Sequence, residues 1–122
     1  MLDELAAGGP PAGVCLDTCH VFAAGYELRS REGYHRTFEE LQRIVGLASL
    51  RALHLNDSAG ACASGTDRHA HIGQGRIGAQ GFRRLMRDRR LASLAGVLET
   101  PKGPDMREDV MNLAALRDLR RG

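Results

Sequence analysis

Three short apolar runs, two of them followed by a helical stripe and the third by a helix start, constrain this chain more than any other feature. Gly13–Leu16, Leu50–Leu55 and Val97–Leu98 are too short for buried helices and read as strands covered on both faces. Behind the first run, Thr37-x-x-Glu40 spells a capping box, with the threonine oxygen accepting a backbone N–H and the glutamate returning the contact. Phe38, Leu41, Ile44 and Val45 then share one helical stripe, which Gly46 ends. Behind the second, a helix over Ala79–Arg90 turns Phe82, Leu85 and Met86 inward. Behind the third, Pro104 opens a last helix with Met106, Val110, Leu113 and Leu116 on its apolar stripe. Met1–Ala7 reads as the last turns of an earlier helix, stopped by Gly8-Gly9-Pro10-Pro11. Such alternation predicts a parallel sheet covered by helices and joined by right-handed crossovers. Asn56–Gly75 follows neither period and reads as a functional loop.

Composition narrows the setting. A chain of 122 residues can bury a core without staples, a limit that lies at roughly 70–80 residues. Aromatics are 4% with no Trp, so the core is expected to rest on Leu, Val, Ile and Ala. A net charge of +2 is too small to mark a nucleic-acid binder by bulk charge. Lys102 is the only lysine, and the other cations are arginines, whose forked donors suit phosphate. The run Arg83, Arg84, Arg87, Arg89 and Arg90 reads first as a solvated helix face, with a DNA-contacting patch as the other reading. Cys15, Cys19 and Cys62 are odd in number and lack a CxxC pair, which fits a reducing cytoplasm; Cys15 and Cys19 are expected as small buried fillers. No apolar run is long enough to span a membrane, and Met1–Gly9 lacks the basic start of a signal peptide. A cytoplasmic protein with no membrane partner is expected.

The strands share one property at their carboxyl ends. The first ends in Asp17-Thr18-Cys19-His20, the second in His54-Leu55-Asn56-Asp57, the third in Glu99-Thr100. In parallel α/β architectures that end is where sites are built. A single histidine or carboxylate there would read as a satisfied interior imidazole or an ordinary ion pair. Their coincidence on all three strands points instead to metal coordination, because buried Asp, Glu and His must be paired or coordinated. Asp67-Arg68-His69 adds ligand types at i and i+2, which face the same way in extended chain, and His71 keeps that phase. Carboxylate and imidazole donors without Cys spacing suit Zn²⁺, with Mn²⁺ as an alternative. The candidates outnumber the needs of one ion. Multi-metal carboxylate/His sites suit phosphodiester hydrolysis, where ions activate water and neutralise the phosphate. Gly73-x-Gly75 with Gly78 resembles part of a phosphate loop, though it does not directly follow a strand.

Gly13-Val14-Cys15-Leu16-Asp17-Thr18-Cys19-His20, His54-Leu55-Asn56-Asp57-Ser58, Asp67-Arg68-His69-x-x-Ile72-Gly73-x-Gly75 and Leu98-Glu99-Thr100-Pro101 together resemble the endonuclease IV family in order and spacing. The resemblance runs from about Leu2 to about Lys102. It implies the last three β/α units of a (β/α)8 TIM barrel, whose full form takes about 250 residues, so residues 1–122 form a single incomplete domain. It also implies Zn²⁺, up to three ions in the full-length family, and cleavage of double-stranded DNA on the 5′ side of abasic sites. His20, Asp67 and His69 would hold one zinc, and Asp17, His54 and Glu99 a second. Catalysis would run through the metal held by Asp17, His54 and Glu99, while Arg68, Asn56 and Ser58 would contact DNA. A bridging Glu and two further His of the family have no counterpart, so the chain alone is expected to have little or no nuclease activity. Ala59, Ala63 and Gln74 stand where the family usually has Lys, Gly and an acidic residue.

Two other readings are carried forward. A metal-dependent sugar isomerase or epimerase of the same barrel superfamily also gathers Glu, Asp and His at strand ends, though without the Asp-Arg-His triplet. A non-catalytic truncated fragment is the third; its open strand edges predict self-association or pairing with a missing N-terminal half.

Overall fold

A computed structural model describes residues 13–100 and 106–121 of the chain. Strand β1 (Val14–Asp17) runs directly into helix α1 (Thr18–Ala23), and helix α2 (Arg31–Ile44) follows. Next come β2 (Leu50–His54), β3 (Asp57–Ser58), β4 (His69–Ala70), helix α3 (Gly78–Arg87), β5 (Ala95–Val97) and helix α4 (Arg107–Arg121). The turns expected over Met1–Ala7, their stop at Gly8–Pro11 and the helix opening at Pro104 lie outside the described residues.

The sheet order is β1-β2-β5, with both pairings parallel, so the expected α/β architecture is present. Register aligns Asp17 with His54, and His54 with Val97, so the three strands finish level with one another. Leu55 N–H extends the ladder by donating to the Val97 carbonyl at 2.8 Å. Glu99 emerges just past that level.

Helix α2 begins earlier than its sequence signal. Ser30 is the cap, its Oγ accepting from Gly33 N–H at 3.0 Å. Thr37 is buried inside the helix, and its hydroxyl donates back to the Glu27 carbonyl at 2.8 Å, so Thr37-x-x-Glu40 caps nothing. Phe38 and Leu41 point inward as expected and the helix ends before Gly46, but Ile44 faces solvent. Helix α1 was hidden in what reads as loop, since six residues show no periodic stripe.

The core also differs from the compositional expectation. Leu, Ile and Val contribute to it, but the largest fully buried side chains are Phe22, Phe38 and Phe82. Few aromatics suffice when each is central. On α4 the expected stripe is largely turned out: Met106 is 68% and Val110 65% exposed, while Leu116 and Asn112 face inward. A buried hydrogen-bond hub sets that rotation. Asn112 Oδ1 accepts from Ile72 N–H at 2.7 Å, and its amide group donates to Thr100 Oγ1 at 3.0 Å and to the Glu108 carbonyl at 2.8 Å. Leaving such a group unpaired in the interior costs about 1–3 kcal/mol, enough to outrank one exposed valine.

Residues 56–75 are not structureless. β3 and β4 pair antiparallel, with Asp57 opposite Ala70 and Ser58 opposite His69. The fully buried Asp57 carboxylate then gathers the backbone N–H groups of Ser58, Gly73, Gly75, Ile77 and Gly78 at 2.8–3.2 Å. The glycine string that reads as part of a phosphate loop is therefore turned on an internal carboxylate. Gly75 is required there, because a Cβ would lie 2.5 Å from the Ser58 carbonyl oxygen and 2.6 Å from Asp57 Oδ1. Ala63, where the family usually has glycine, takes the left-handed conformation at φ 64°.

Candidate metal centre

Parallel register delivers Asp17, His54 and Glu99 to one end of the sheet. One ligand atom from each lies within 4.8 Å of the others, and His54 Nδ1 contacts Glu99 Oε1. Asp17 has a divided role: Oδ1 caps α1 by accepting His20 N–H at 3.1 Å, which leaves Oδ2 facing the cluster. The hairpin of β3 and β4 returns the Asp67–His69 segment over the same end. His20 Nδ1 lies 3.0 Å from Asp67 Oδ2. His69 Nε2 lies 3.5 Å from Asp17 Oδ2 and 3.9 Å from Asp67 Oδ1, so Asp17 and His69 link the two groups. All six sequence candidates are thus brought together at the strand ends.

The donor set fits a metal ion. His69 Nδ1 sits 2.8 Å from the Glu99 carbonyl oxygen. A carbonyl only accepts, so Nδ1 carries a proton and Nε2 is the ring atom that meets the Asp17 and Asp67 carboxylates, where a neutral ring offers a metal its lone pair and a protonated ring forms ion pairs instead. Asp17, Asp67 and Glu99 add three negative charges, and among the described residues no Arg forms an ion pair with any of them. A ring nitrogen fixed by a backbone carbonyl is also the usual outer support of a histidine ligand. The His20 imidazole beside Asp67 holds its carboxyl below the ordinary range, despite some burial.

Cys19 offers a competing donor, since its Sγ lies within 4.8 Å of atoms of Asp67 and His69. Burial pushes its thiol pKa up to about 12, and the thiol donates to the Arg68 carbonyl at 3.3 Å. A protonated, hydrogen-bonded thiol is a poor ligand, which agrees with the buried-filler reading. Cys15 is only half-buried. His71 does not join the centre; its Nδ1 lies 3.1 Å from the Asn112 amide nitrogen.

Asn56 and Ser58, expected against DNA, are instead fully buried. Asn56 Oδ1 accepts from Glu99 N–H at 2.7 Å, and its amide nitrogen lies 3.5 Å from Asp17 Oδ2. The Thr18 hydroxyl accepts from Asn56 N–H at 3.0 Å and donates to the Asn56 carbonyl at 2.7 Å. These contacts tie the ends of all three strands together, so Asn56 and Thr18 are positioning residues. Sequence reasoning missed Thr18 in that role, although it stands beside the candidate ligand Asp17. Ser58 Oγ donates to the Gly60 carbonyl at 2.8 Å. Arg68 is exposed between its two ligand neighbours.

Comparison with known proteins shows the family and the fold. The family model described as xylose isomerase-like TIM barrel matches residues 1–118. The chain is 58% identical over 110 residues to a protein named "Probable endonuclease 4" from Chloroflexus aurantiacus strain J-10-fl, covering 90% of this chain and 39% of that one. A protein of the same name from Geobacter sulfurreducens is 53% identical over 106 residues, covering 87% of this chain and 36% of that one. The crystal structure of endonuclease IV from Thermus thermophilus superposes with a TM-score of 0.83 at 43% identity, over 98% of this chain and 44% of that one. The chain therefore spans about two fifths of the length of the relatives it matches.

Proposed function

Since the chain belongs to the xylose isomerase-like TIM barrel family and, within it, to the endonuclease IV family, we propose that it carries two metal-ligand sets of a zinc-dependent abasic-site endonuclease. The reaction is hydrolysis of the DNA phosphodiester bond 5′ to an abasic site, leaving a 3′-hydroxyl and a 5′-deoxyribose phosphate. The observation that carries this reading is the convergence of His69 Nε2 with the Asp17 and Asp67 carboxylates, beside His54 and Glu99 from the neighbouring strands.

Asp17, His54 and Glu99 would hold one ion, and His20, Asp67 and His69 another. Bound Zn²⁺ supplies Lewis-acid neutralisation of phosphate charge and makes water more acidic. The chain's own residues provide orientation. Asn56 fixes the Glu99 backbone, the Glu99 carbonyl fixes the His69 tautomer, and Asp17 Oδ1 is held by the start of α1 so that Oδ2 is aimed. Arg68, exposed between two ligands, is placed to meet a DNA phosphate with its guanidinium fork. Mn²⁺ is the alternative ion for the same O/N donors. His35 and His71 lie outside the two ligand groups, no further Glu converges with them among the described residues, and the 122-residue chain is expected to be inert alone.

A chimera tests this. Residues 13–121 replace the aligned part of the Thermus enzyme, and the product is assayed with Zn²⁺ on a duplex carrying one abasic site. Incision on the 5′ side, lost in Glu99→Gln and His69→Ala versions, is expected. A folded chimera that leaves the abasic duplex intact, or cuts undamaged duplex equally well, overturns the proposal.

A further inference from the structure

A groove between α2 and α3 contains none of the strand-end ligands. It is lined by Arg31 and Arg36 from α2 and by Arg83, Arg84 and Arg87 from α3. We infer that this groove is a second nucleic-acid contact, binding the phosphate backbone of a duplex without regard to base sequence.

Acids balance only some of the surface arginines, and Arg51, Arg68, Arg76 and Arg89 also lack an ion pair among the described residues, so what sets the groove apart is five arginines gathered in one concavity. Arg29 pairs with Glu27, Arg43 with Glu40 and Arg90 with Asp88. Among the described residues, Arg31, Arg36, Arg83 and Arg87 have no such partner. Two acids border the groove. Asp88 has both oxygens engaged by Arg90 and the Tyr34 hydroxyl, with its side chain 8% exposed. Only Glu32 is left to face five guanidinium groups, and His35 is held by Glu39 at 2.9 Å. A same-sign cluster concentrated in a concave surface focuses potential on an anionic partner. Arg84 is pre-oriented, its Nε donating to the Arg29 carbonyl at 3.2 Å.

The lining also selects the class of anion. Tyr34 is the one Phe, Tyr or Trp in the lining and is only 8% exposed, so unpaired bases would find only His35, already held by Glu39, and the guanidinium planes to stack on. Nor is there an exposed aliphatic or aromatic anchor of the kind that carries a protein interface. Forked guanidinium donors without such anchors suit phosphates held at fixed spacing, as on a duplex. The groove lies in the helix layer, so this contact is separate from the metal centre and does not depend on the proposed hydrolysis.

The test is fluorescence anisotropy of the 122-residue chain with an undamaged labelled duplex, in chelator, across a salt series. Loss of two phosphate contacts should make the slope of log K against log salt shallower by about 1.8, or roughly ten- to a hundred-fold weaker binding near 0.1 M salt. Arg83→Ser with Arg87→Ser is expected to show that loss. Arg120→Ser with Arg121→Ser, equal in charge but on the last turn of α4, is expected to change binding less than about threefold. Arg83→Lys with Arg87→Lys separates charge from folding and should keep most of the slope. The inference is overturned if the unaltered chain does not bind duplex, if both serine pairs weaken binding equally, or if the lysine pair is as weak as the groove serine pair. It is also overturned if poly-glutamate competes as well as duplex per charge. A metal-centre failure leaves this readout untouched, because no metal or lesion is present.

Discussion

Replacing Asp57 with alanine should unfasten the segment that carries Asp67 and His69. The carboxylate accepts five backbone N–H groups. Those of Ser58 and Ile77 are fully buried, at 2.8 and 2.9 Å, and those of Gly73, Gly75 and Gly78 are part-buried. The glycine amides can turn to water, but two buried donors left unpaired cost about 1–3 kcal/mol each. Water entering the vacated space recovers part of this, so a net loss of about 2–4 kcal/mol is expected. Against a typical domain stability of about 5–15 kcal/mol that is a large fraction. Urea unfolding followed by circular dichroism measures it. Asp57→Asn serves as the partial case: Oδ1 can still serve Ser58 and Ile77, while an NH2 group meets the Gly73 and Gly75 amides. Hydrogen exchange at those two glycines should then accelerate with a smaller global loss. An Asp57→Ala protein within about 1 kcal/mol of its parent, with the glycine amides still protected, would mean that the carboxylate does not hold this segment.

Other outcomes follow from single residues. Ala63→Gly should raise stability by about 0.5–1 kcal/mol, since the left-handed backbone costs an L-residue about 1–2 and glycine's extra unfolded-state freedom returns about 0.5–1; a lower urea midpoint would contradict this. Asp88 is raised by burial, but the Arg90 fork and the Tyr34 hydroxyl outweigh that and hold it below its ordinary 3.8. The unfolded chain therefore takes up the proton first as pH falls, so this stabilisation is complete above about pH 4 and is lost as pH drops through the lower folded value. Urea midpoints from about pH 6 to pH 3 should fall more steeply in the parent than in Asp88→Asn, and parallel curves would contradict it. Asn56→Ala should weaken zinc binding by the Asp17, His54 and Glu99 set about 10–100-fold, with a smaller loss at the His69 set through the Glu99 carbonyl, as read by competition with a chromophoric chelator; unchanged affinity at both would remove Asn56 as a positioning residue.

What could be read in the sequence was what local pattern and strand polarity determine. Asp17, His54 and Glu99 converge because parallel strands in register end together. The residues that escaped prediction are those whose role depends on a distant partner. Thr37 and Ser30 are both acceptable caps locally, and only the Thr37 bond to the Glu27 carbonyl decides between them. Asn112 interrupts no pattern, yet its contacts with Ile72 and Thr100 turn the apolar face of α4 outward. Asp57 resembles its ligand neighbours in type, and only the folded glycine turn shows that its oxygens are already occupied. Asn56 and Ser58 carry polar groups suited to DNA, but the tie between strand ends buries them.

Two metal-ligand sets on one chain predict a zinc stoichiometry that each set's substitutions lower in turn. Equilibrium dialysis with elemental analysis should find about two Zn²⁺ per chain. One should be lost in Glu99→Gln, the other in Asp67→Asn, and both in the double variant. A folded chain that binds no zinc, or whose stoichiometry is unchanged by either substitution, would contradict the account.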